Sequence, residues 1–279
     1  MKSPKLSKLT LTRKTALKLA ALQLLNAGIE SAWLDAELIL AFVIKKTRAE
    51  LLAHDELKLT KTQLTSFKDL INQRLKYIPL AYILGYKEFY GLKFKITKDT
   101  LVPRPESELM VEEAIKLVTK DSTIIDIGTG SGCLICSVIT NTEAKGYGLD
   151  ISNKALAVAK HNAKTLKVNK KIKFIKSSLL SNLKIEKIKN LIILANLPYL
   201  NKKEMKETSI SKEPKSALYG GIDGLMYYKK LAKQLKSYSN YTLLCEINPK
   251  QKSGIKKIFP KAEFKKDLGG KIRLAIIIV

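Results

Sequence analysis

The chain has 279 residues, more than one domain usually holds, so one large or two modest domains are expected. Its 46% hydrophobic and 27% charged residues exclude a disordered chain and allow each domain a real core. A net charge of +26, from 51 Lys and Arg against 25 Asp and Glu, invites nucleic acid, ribosome or anionic membrane, yet only five cations are Arg and the lysines are dispersed, as on a solvated surface.

In chain order, Met1 to Lys5 lead into a mixed Lys/Leu stretch without the uninterrupted apolar region of a signal peptide. No 18-residue apolar run suggests a membrane span. Thr10 to Ala27 reads as a helix stopped by Gly28. Leu34, Leu38, Ala41 and Phe42 fall on one face of a second helix, and Leu64, Phe67, Ile71 and Leu75 on one face of a third. Thr60 with Gln63 three positions later is a capping box opening that third helix. Residues 1–77 are therefore expected to form a small helical domain. From Tyr82 to Thr97 the pattern changes to short aromatic and β-branched runs broken at Gly91, which predicts a β-hairpin linker over 78–100.

After Pro103-Arg104-Pro105, helix-like and strand-like segments alternate. Glu106 to Lys120 reads as a helix, Thr123 to Ile127 as a strand, Gly132 to Thr140 as a helix, Gly146 to Leu149 as a strand and Asn153 to Leu166 as a helix. Ile172 to Ile175 and Leu191 to Ala195 are further strands. The alternation predicts parallel βαβ units in one doubly wound α/β sheet over 101–279. Ala262 to Lys266 and Arg273 to Val279 flank Gly269-Gly270 and predict a terminal antiparallel hairpin. Cys133-Leu-Ile-Cys136 has the spacing of a redox or zinc pair, but no second pair or nearby His completes one. The pair reads as core packing on a helix, no metal is expected, and three cysteines in all suit a reducing, cytoplasmic setting. His54 and His161 stand alone and give a His-based triad little support.

Two constellations carry chemistry. Gly128-Thr129-Gly130-Ser131-Gly132 lies at the carboxyl end of the first strand of the sheet, where ligands of such folds bind. Cys133 stands where the dinucleotide fingerprint Gly-x-Gly-x-x-Gly needs its third glycine. Asp150, closing the next strand, can accept hydrogen bonds from both ribose hydroxyls. Together these point to an adenosine-type cofactor without a pyrophosphate, S-adenosylmethionine; a tight turn that binds nothing is the competing reading. Asn196-Leu197-Pro198-Tyr199 follows the apolar strand at the same sheet edge. Methyl transfer to an amide or ring-amino nitrogen requires that its delocalised lone pair be oriented and its developing positive charge stabilised. The Asn196 side-chain oxygen and the Leu197 carbonyl suit that task, and Tyr199 can pack on a planar acceptor group. A bland strand-ending turn is the competing reading here.

At these motifs the sequence resembles class I S-adenosylmethionine-dependent methyltransferases whose fourth strand ends in Asn-Pro-Pro-Tyr. Five more segments resemble the HemK/PrmC family: Ile78 to Gly85, Glu88 to Gly91, Leu101 to Glu108, Glu213 to Leu225, and Trp33 to Leu38. The resemblance implies a helical N-terminal substrate-recognition domain, a β-hairpin linker and a Rossmann-like catalytic domain. It implies methylation of the side-chain amide nitrogen of glutamine in the Gly-Gly-Gln motif of class-1 peptide-chain release factors. Carried over, Gly128, Thr129, Gly130, Ser131 and Gly132 hold the cofactor's methionine end and Asp150 its ribose. Ser178, Leu179 and Asn196 complete the cofactor set; Asn196, Leu197, Pro198 and Tyr199 meet the target amide. Arg104 contacts the substrate or pairs with a carboxylate of the chain itself, and Glu213 belongs to a loop over the substrate cleft.

Three positions depart from the family pattern. Leu197 replaces its first proline, although Pro198 still biases Leu197 toward extended backbone. Ser178-Leu179 stand where an acidic and an aromatic residue are usual, so weaker cofactor affinity is expected. Asn248 replaces a glycine, after Glu246 at the end of the fifth strand. An adenine-N6 methyltransferase on DNA or RNA would use the same Asn-x-Pro-Tyr chemistry, but no Arg-rich recognition module accompanies it. A ribosomal-protein glutamine methyltransferase and a non-catalytic cofactor-binding docking module also compete with the release-factor reading. The expected protein is a cytoplasmic monomer acting on release factors, with no direct nucleic-acid substrate and no membrane.

Overall fold

Thr12 caps the first helix by accepting the Thr15 N–H, and α1 runs Arg13–Asn26 until Gly28 takes a φ of +78°. The computed structural model describes residues 11–183, 190–206, 210 and 212–279; the expected helix start at Thr10 lies outside them. α2 (Ala32–Ile44), α3 (Arg48–Ala53), α4 (Lys61–Leu75) and the short α5 (Leu80–Leu84) follow, and the Thr60–Gln63 capping box opens α4. α1, α2 and α4 pack around Leu17, Leu24, Ile39, Leu40, Phe67 and Ile71. Asp35 is buried against Arg74, whose Nε donates to it at 2.6 Å.

The buried face of α2 differs from expectation. Leu34 and Phe42 are 45% and 44% exposed, whereas Ala32, Asp35, Ala36, Ile39 and Leu40 face inward. α2 is apolar nearly all round, so periodicity does not choose the face; the Asp35–Arg74 pair helps to fix it.

Contacts divide the chain at Leu84/Gly85. The second unit begins with the hairpin of β1 (Tyr86–Phe89) and β2 (Leu92–Lys95), so the residues expected to form one linker belong partly to each unit. β2 is fixed to a helix by Asn162, 2% exposed on α8 (Asn153–Thr165). The Asn162 oxygen accepts the Lys95 N–H at 2.8 Å, and its amide donates to the carbonyls of Lys95 at 3.0 Å and Ser131 at 2.8 Å.

α6 (Glu108–Leu117), β3 (Ser122–Ile127), α7 (Cys133–Thr140), β4 (Lys145–Asp150), α8 and β5 (Ile172–Lys176) form the first half of the α/β unit. β6 (Asn190–Ala195), α9 (Met226–Leu235), β7 (Tyr241–Glu246), α10 (Lys252–Ile258), β8 (Glu263–Lys266) and β9 (Ile272–Ile278) form the second. The seven-stranded sheet has the order β5-β4-β3-β6-β7-β9-β8. Its first five strands are parallel, and β9 runs antiparallel to both β7 and β8. This is the expected Rossmann-like sheet with a terminal antiparallel hairpin. The chain moves outward in opposite directions from β3 and β6, so the switch point lies between their carboxyl ends. Cys136 is buried on α7, and burial pushes the Cys133 thiol up to about 12, which keeps it protonated and inert.

Each arginine makes a fixed contact. Arg13 donates to the His54 carbonyl at 3.1 Å, Arg48 pairs with Glu37 at 2.5 Å, and Arg273 with Asp267 at 3.0 Å. Arg74 holds Asp35, and Arg104 holds Glu213.

Candidate active site

β3 ends at Ile127 and feeds Gly128-Thr129-Gly130-Ser131-Gly132 into α7. The three glycines take φ values of +72°, +55° and +79°, the left-handed region that a side chain disfavours. The resulting turn aims the N–H groups of Gly128 and Thr129 at the Leu149 carbonyl, each at 2.8 Å. Asp150 ends β4 beside it, accepting from the N–H groups of Gly130 at 3.0 Å and Ser152 at 2.8 Å. Each oxygen of the oriented carboxylate keeps a second lone pair for a ligand. Burial pushes the Asp150 carboxyl above its ordinary value.

An open cleft of about 750 Å³, mouth included, lies along Gly128, Gly130, Asp150, Ser178, Leu179 and Asn196. Thr129, Ser131 and Gly132 lie off its wall and support the loop from behind. Thr129 donates to Asp126 at 2.6 Å, the Ser131 carbonyl takes the Asn162 amide, and a Cβ at Gly132 would press on Ala159 at 3.1 Å. The other Asp126 oxygen has no hydrogen-bond partner among the described residues, and burial pushes this carboxyl up to about 7 despite the Thr129 hydroxyl. The charged groups on the described cleft wall are Asp99 and Asp150; no Lys or Arg lines it, and Lys154 pairs with Asp99 at 3.7 Å. In a chain of net charge +26, a cleft wall whose charged groups are carboxylates, with Asp150 oriented toward a ligand, fits one bearing sulfonium and ammonium groups, as S-adenosylmethionine does.

A second open space of about 820 Å³, mouth included, shares Leu101, Asn196, Leu197 and Ala217 with the first. Arg104, Tyr199, Glu246 and Arg273 lie on its wall. Asn196-Leu197 is thus the partition between the two spaces. A Cβ at Gly128 would lie 3.8 Å from Leu197 Cδ2 and 3.9 Å from the Asn196 carbonyl oxygen, so the two motifs abut.

The Asn196 side chain donates through Nδ2 to Glu246 Oε2 at 2.9 Å and to Ser107 Oγ at 3.1 Å; its Oδ1 has no partner among the described residues. The Leu197 carbonyl likewise takes no backbone hydrogen bond from a described residue. The Tyr199 hydroxyl lies 3.5 Å from Glu246 Oε1, and burial together with that carboxyl pushes the phenol up. Arg104 is paired with Glu213, whose second oxygen accepts the Val102 N–H at 3.0 Å. Glu213 therefore stands off both cavity walls, and Arg104 alone of the pair faces the second space.

Further residues hold this loop: two glycines of the Glu213 to Leu225 segment and Gln251, which no motif marks. A Cβ at Gly220 would meet the Pro198 carbonyl oxygen at 2.4 Å, and one at Gly224 the Tyr199 carbonyl oxygen at 2.2 Å. Gln251 donates to the carbonyls of Tyr199 at 3.1 Å and Gly224 at 3.0 Å. The glycines of Gly220-Gly221-Ile222-Asp223-Gly224 form a visible cluster in the sequence, and close approach to another backbone is their reason.

Residues 15–85 match the PrmC N-terminal domain and residues 118–244 a methyltransferase domain. A release factor glutamine methyltransferase of Buchnera aphidicola subsp. Acyrthosiphon pisum is 35% identical over 259 residues, 89% of this chain and 92% of that protein. The chain belongs to the release factor glutamine methyltransferase family. A Dictyoglomus turgidum member of the family is 38% identical over 226 residues, covering 79% of each chain. A bifunctional methyltransferase of Rickettsia felis is 31% identical, and the match covers 88% of this chain but 53% of that protein. Among solved structures, the hMettl16 catalytic domain bound to the MAT2A 3'UTR hairpin 6 superposes with a TM-score of 0.51 over 67% of this chain and 75% of that one. At 17% identity it shows that the family fold here is a Rossmann-like methyltransferase fold and nothing about substrate. Among the described residues no helix is long and apolar enough to cross a membrane.

Proposed function

We propose that this chain methylates the side-chain amide nitrogen of the glutamine in the Gly-Gly-Gln motif of class-1 peptide-chain release factors, using S-adenosylmethionine. The observation that carries the site assignment is the partition: an acidic cleft without Lys or Arg on its described wall meets a second cavity at Asn196-Leu197, where two carbonyl oxygens lack partners among the described residues.

When bound, S-adenosylmethionine supplies an electrophilic methyl group on a sulfonium. Gly128 and Gly130 allow close backbone approach to its methionine end, Asp150 takes its ribose hydroxyls, and Ser178 and Leu179 border its adenine. Asn196 Oδ1 and the Leu197 carbonyl accept the two N–H bonds of the target amide. They hold its plane so that the nitrogen lone pair is directed across the partition, and they stabilise the positive charge that grows there. Tyr199 packs on the planar amide, and Pro198 keeps the Leu197 carbonyl extended. Arg104, held by Glu213, faces the substrate side. The nitrogen's proton becomes acidic only as that charge develops, so no base has to act first.

Recognition of the release factor falls to the helical unit, where Leu19, Leu22, Leu25, Trp33, Leu34 and Phe42 are exposed. The same reading has the chain working as a cytoplasmic monomer without nucleic acid as its direct substrate. Labelled methyl transfer to purified release factor tests it, with the Gln→Ala release factor, ribosomal protein and nucleic acid as comparisons. Label on release factor that disappears in the Gln→Ala form is expected; label on nucleic acid and none on protein overturns the reading.

A further inference from the structure

A side-chain amide has two ends of nearly equal size, and only the oxygen end of Asn196 serves an amide or amino target. Something must choose between them. Ala195 and Cys245 are in register on the parallel pair β6–β7, so Asn196 and Glu246 leave the sheet side by side. Glu246 is 4% exposed, and Ser107, ahead of α6, is 2% exposed. The Ser107 hydroxyl donates to Glu246 Oε2, and Asn196 Nδ2 donates to both Ser107 Oγ and that same carboxylate oxygen. An ionised carboxylate only accepts, and the Ser107 hydrogen is already committed. A flipped Asn196 would set its oxygen against a carboxylate oxygen at the 2.9 Å separation now bridged by a hydrogen bond.

Building on the proposed function, we propose that Glu246 is a positioning residue, which through Ser107 and Asn196 fixes the orientation of the Asn196 amide so that Oδ1 faces the target nitrogen. It touches neither substrate nor cofactor in this role. Its protonation state then becomes a control. A protonated Glu246 presents an O–H that a flipped Asn196 can accept, so the productive orientation is lost as pH falls. Burial raises the Glu246 carboxyl above its ordinary value, with Ser107 opposing. The charged groups facing it are Glu106 and Arg104 from the segment ahead of α6 and Arg273 from β9. Tyr199 approaches its other oxygen, and Tyr228 of α9 donates to its backbone carbonyl.

The test uses three variants of the whole chain: Glu246→Gln, Asn196→Asp, and both together. A glutamine at 246 can hold either end of Asn196, so at least half of the molecules lose the productive orientation and kcat should fall by about two-fold or more. Binding of S-adenosylhomocysteine, read by calorimetry, should stay within about two-fold of wild type, which also reports folding. The acid limb of the kcat–pH profile should disappear. Asn196→Asp sets two carboxylates against each other and should be nearly inactive. Adding Glu246→Gln lets the glutamine NH₂ hold one aspartate oxygen and free the other, so the double variant should exceed Asn196→Asp by about ten-fold. The proposal is overturned if Glu246→Gln keeps the wild-type kcat and its acid limb, if binding falls in parallel with kcat, or if the double variant is no faster than Asn196→Asp. Wild type is assayed on release factor and on an adenine-bearing oligonucleotide. Label on the oligonucleotide alone defeats the substrate reading, and the Glu246 ratios are then read on adenine, which needs the same Asn196 oxygen.

Discussion

Replacing Asn162 by Ala removes three hydrogen bonds from one buried side chain. The Ser131 carbonyl, beneath the glycine loop, loses its donor in a site closed to water, while the N–H and C=O of Lys95 lose partners at a strand edge where water partly replaces them. A buried carbonyl left unpaired costs more than an edge group, and the whole change should destabilise the larger unit by about 3 kcal/mol. For a unit of that size this lowers the melting temperature by roughly 10 °C. Because Ser131 sits in the loop, S-adenosylhomocysteine affinity should drop as well, and exchange of the Lys95 amide hydrogen should accelerate. Asn162→Asp sharpens the reasoning. It keeps the acceptor for Lys95 but turns a carboxylate oxygen toward two carbonyls. Its folded pKa is then raised above the unfolded value, so its contribution is present below about pH 4 and lost as pH rises through the folded pKa. The aspartate variant should melt close to wild type in acid and below the alanine variant at about pH 8. Thermal melts that leave Asn162→Ala within about 2 °C of wild type, with no pH dependence in Asn162→Asp, would refute this account of the seam.

Asn196→Ala should lower kcat by about 100-fold while largely sparing S-adenosylhomocysteine binding, and Asp150→Ala should do the reverse; equal effects on both measurements count against the division of roles. Leu197→Pro should keep kcat equal or higher, since no backbone hydrogen bond from the Leu197 N–H is lost, but it should cost about 1–2 kcal/mol in urea titration because the buried leucine side chain is removed. Asp126, with its folded pKa near 7, stabilises the protein fully below about pH 4 and loses that contribution as pH rises through about 7. Asp126→Asn should flatten that part of the stability–pH curve, and an unchanged slope would assign it elsewhere. Raising salt should increase KM for release factor, whose approach the dispersed lysines favour, and leave cofactor affinity nearly constant; parallel changes would place the charge effect in the cleft.

The parts of the molecule legible in the sequence are those encoded locally. The capping box at Thr60, the glycine loop, the closing aspartate of β4 and the Asn196–Tyr199 turn each lie within a few residues, and the βα alternation brings them to one edge. The residues that hold the candidate site in place are hidden because their partners are far away along the chain. Ser107 meets Glu246 across 139 positions, Asn162 meets Lys95 across 67, and Glu246 meets Asn196 across 50. Glu246 is visible in the sequence only as a carboxylate ending a strand; its hold on Asn196 depends on the β6–β7 register, which no local pattern reports. Arg104 reads from sequence as a residue of two uses, and the Glu213 partner, 109 positions on, shows how it is held. The α2 face is misread for the opposite reason: too many apolar residues leave the period uninformative.

The five arginines bear on how freely this chain's composition can drift. Lysine serves wherever charge alone is wanted, and it fills the surface. At Arg48, Arg74, Arg104 and Arg273 one guanidinium nitrogen meets a carboxylate oxygen, and at Arg13 a backbone carbonyl. A lysine at any of them would leave the net charge at +26 and lose the directed N–H geometry of the guanidinium at that contact. Net charge therefore does not detect these losses, and the rarest cation in the chain marks the positions where exchange with the commonest one must stop.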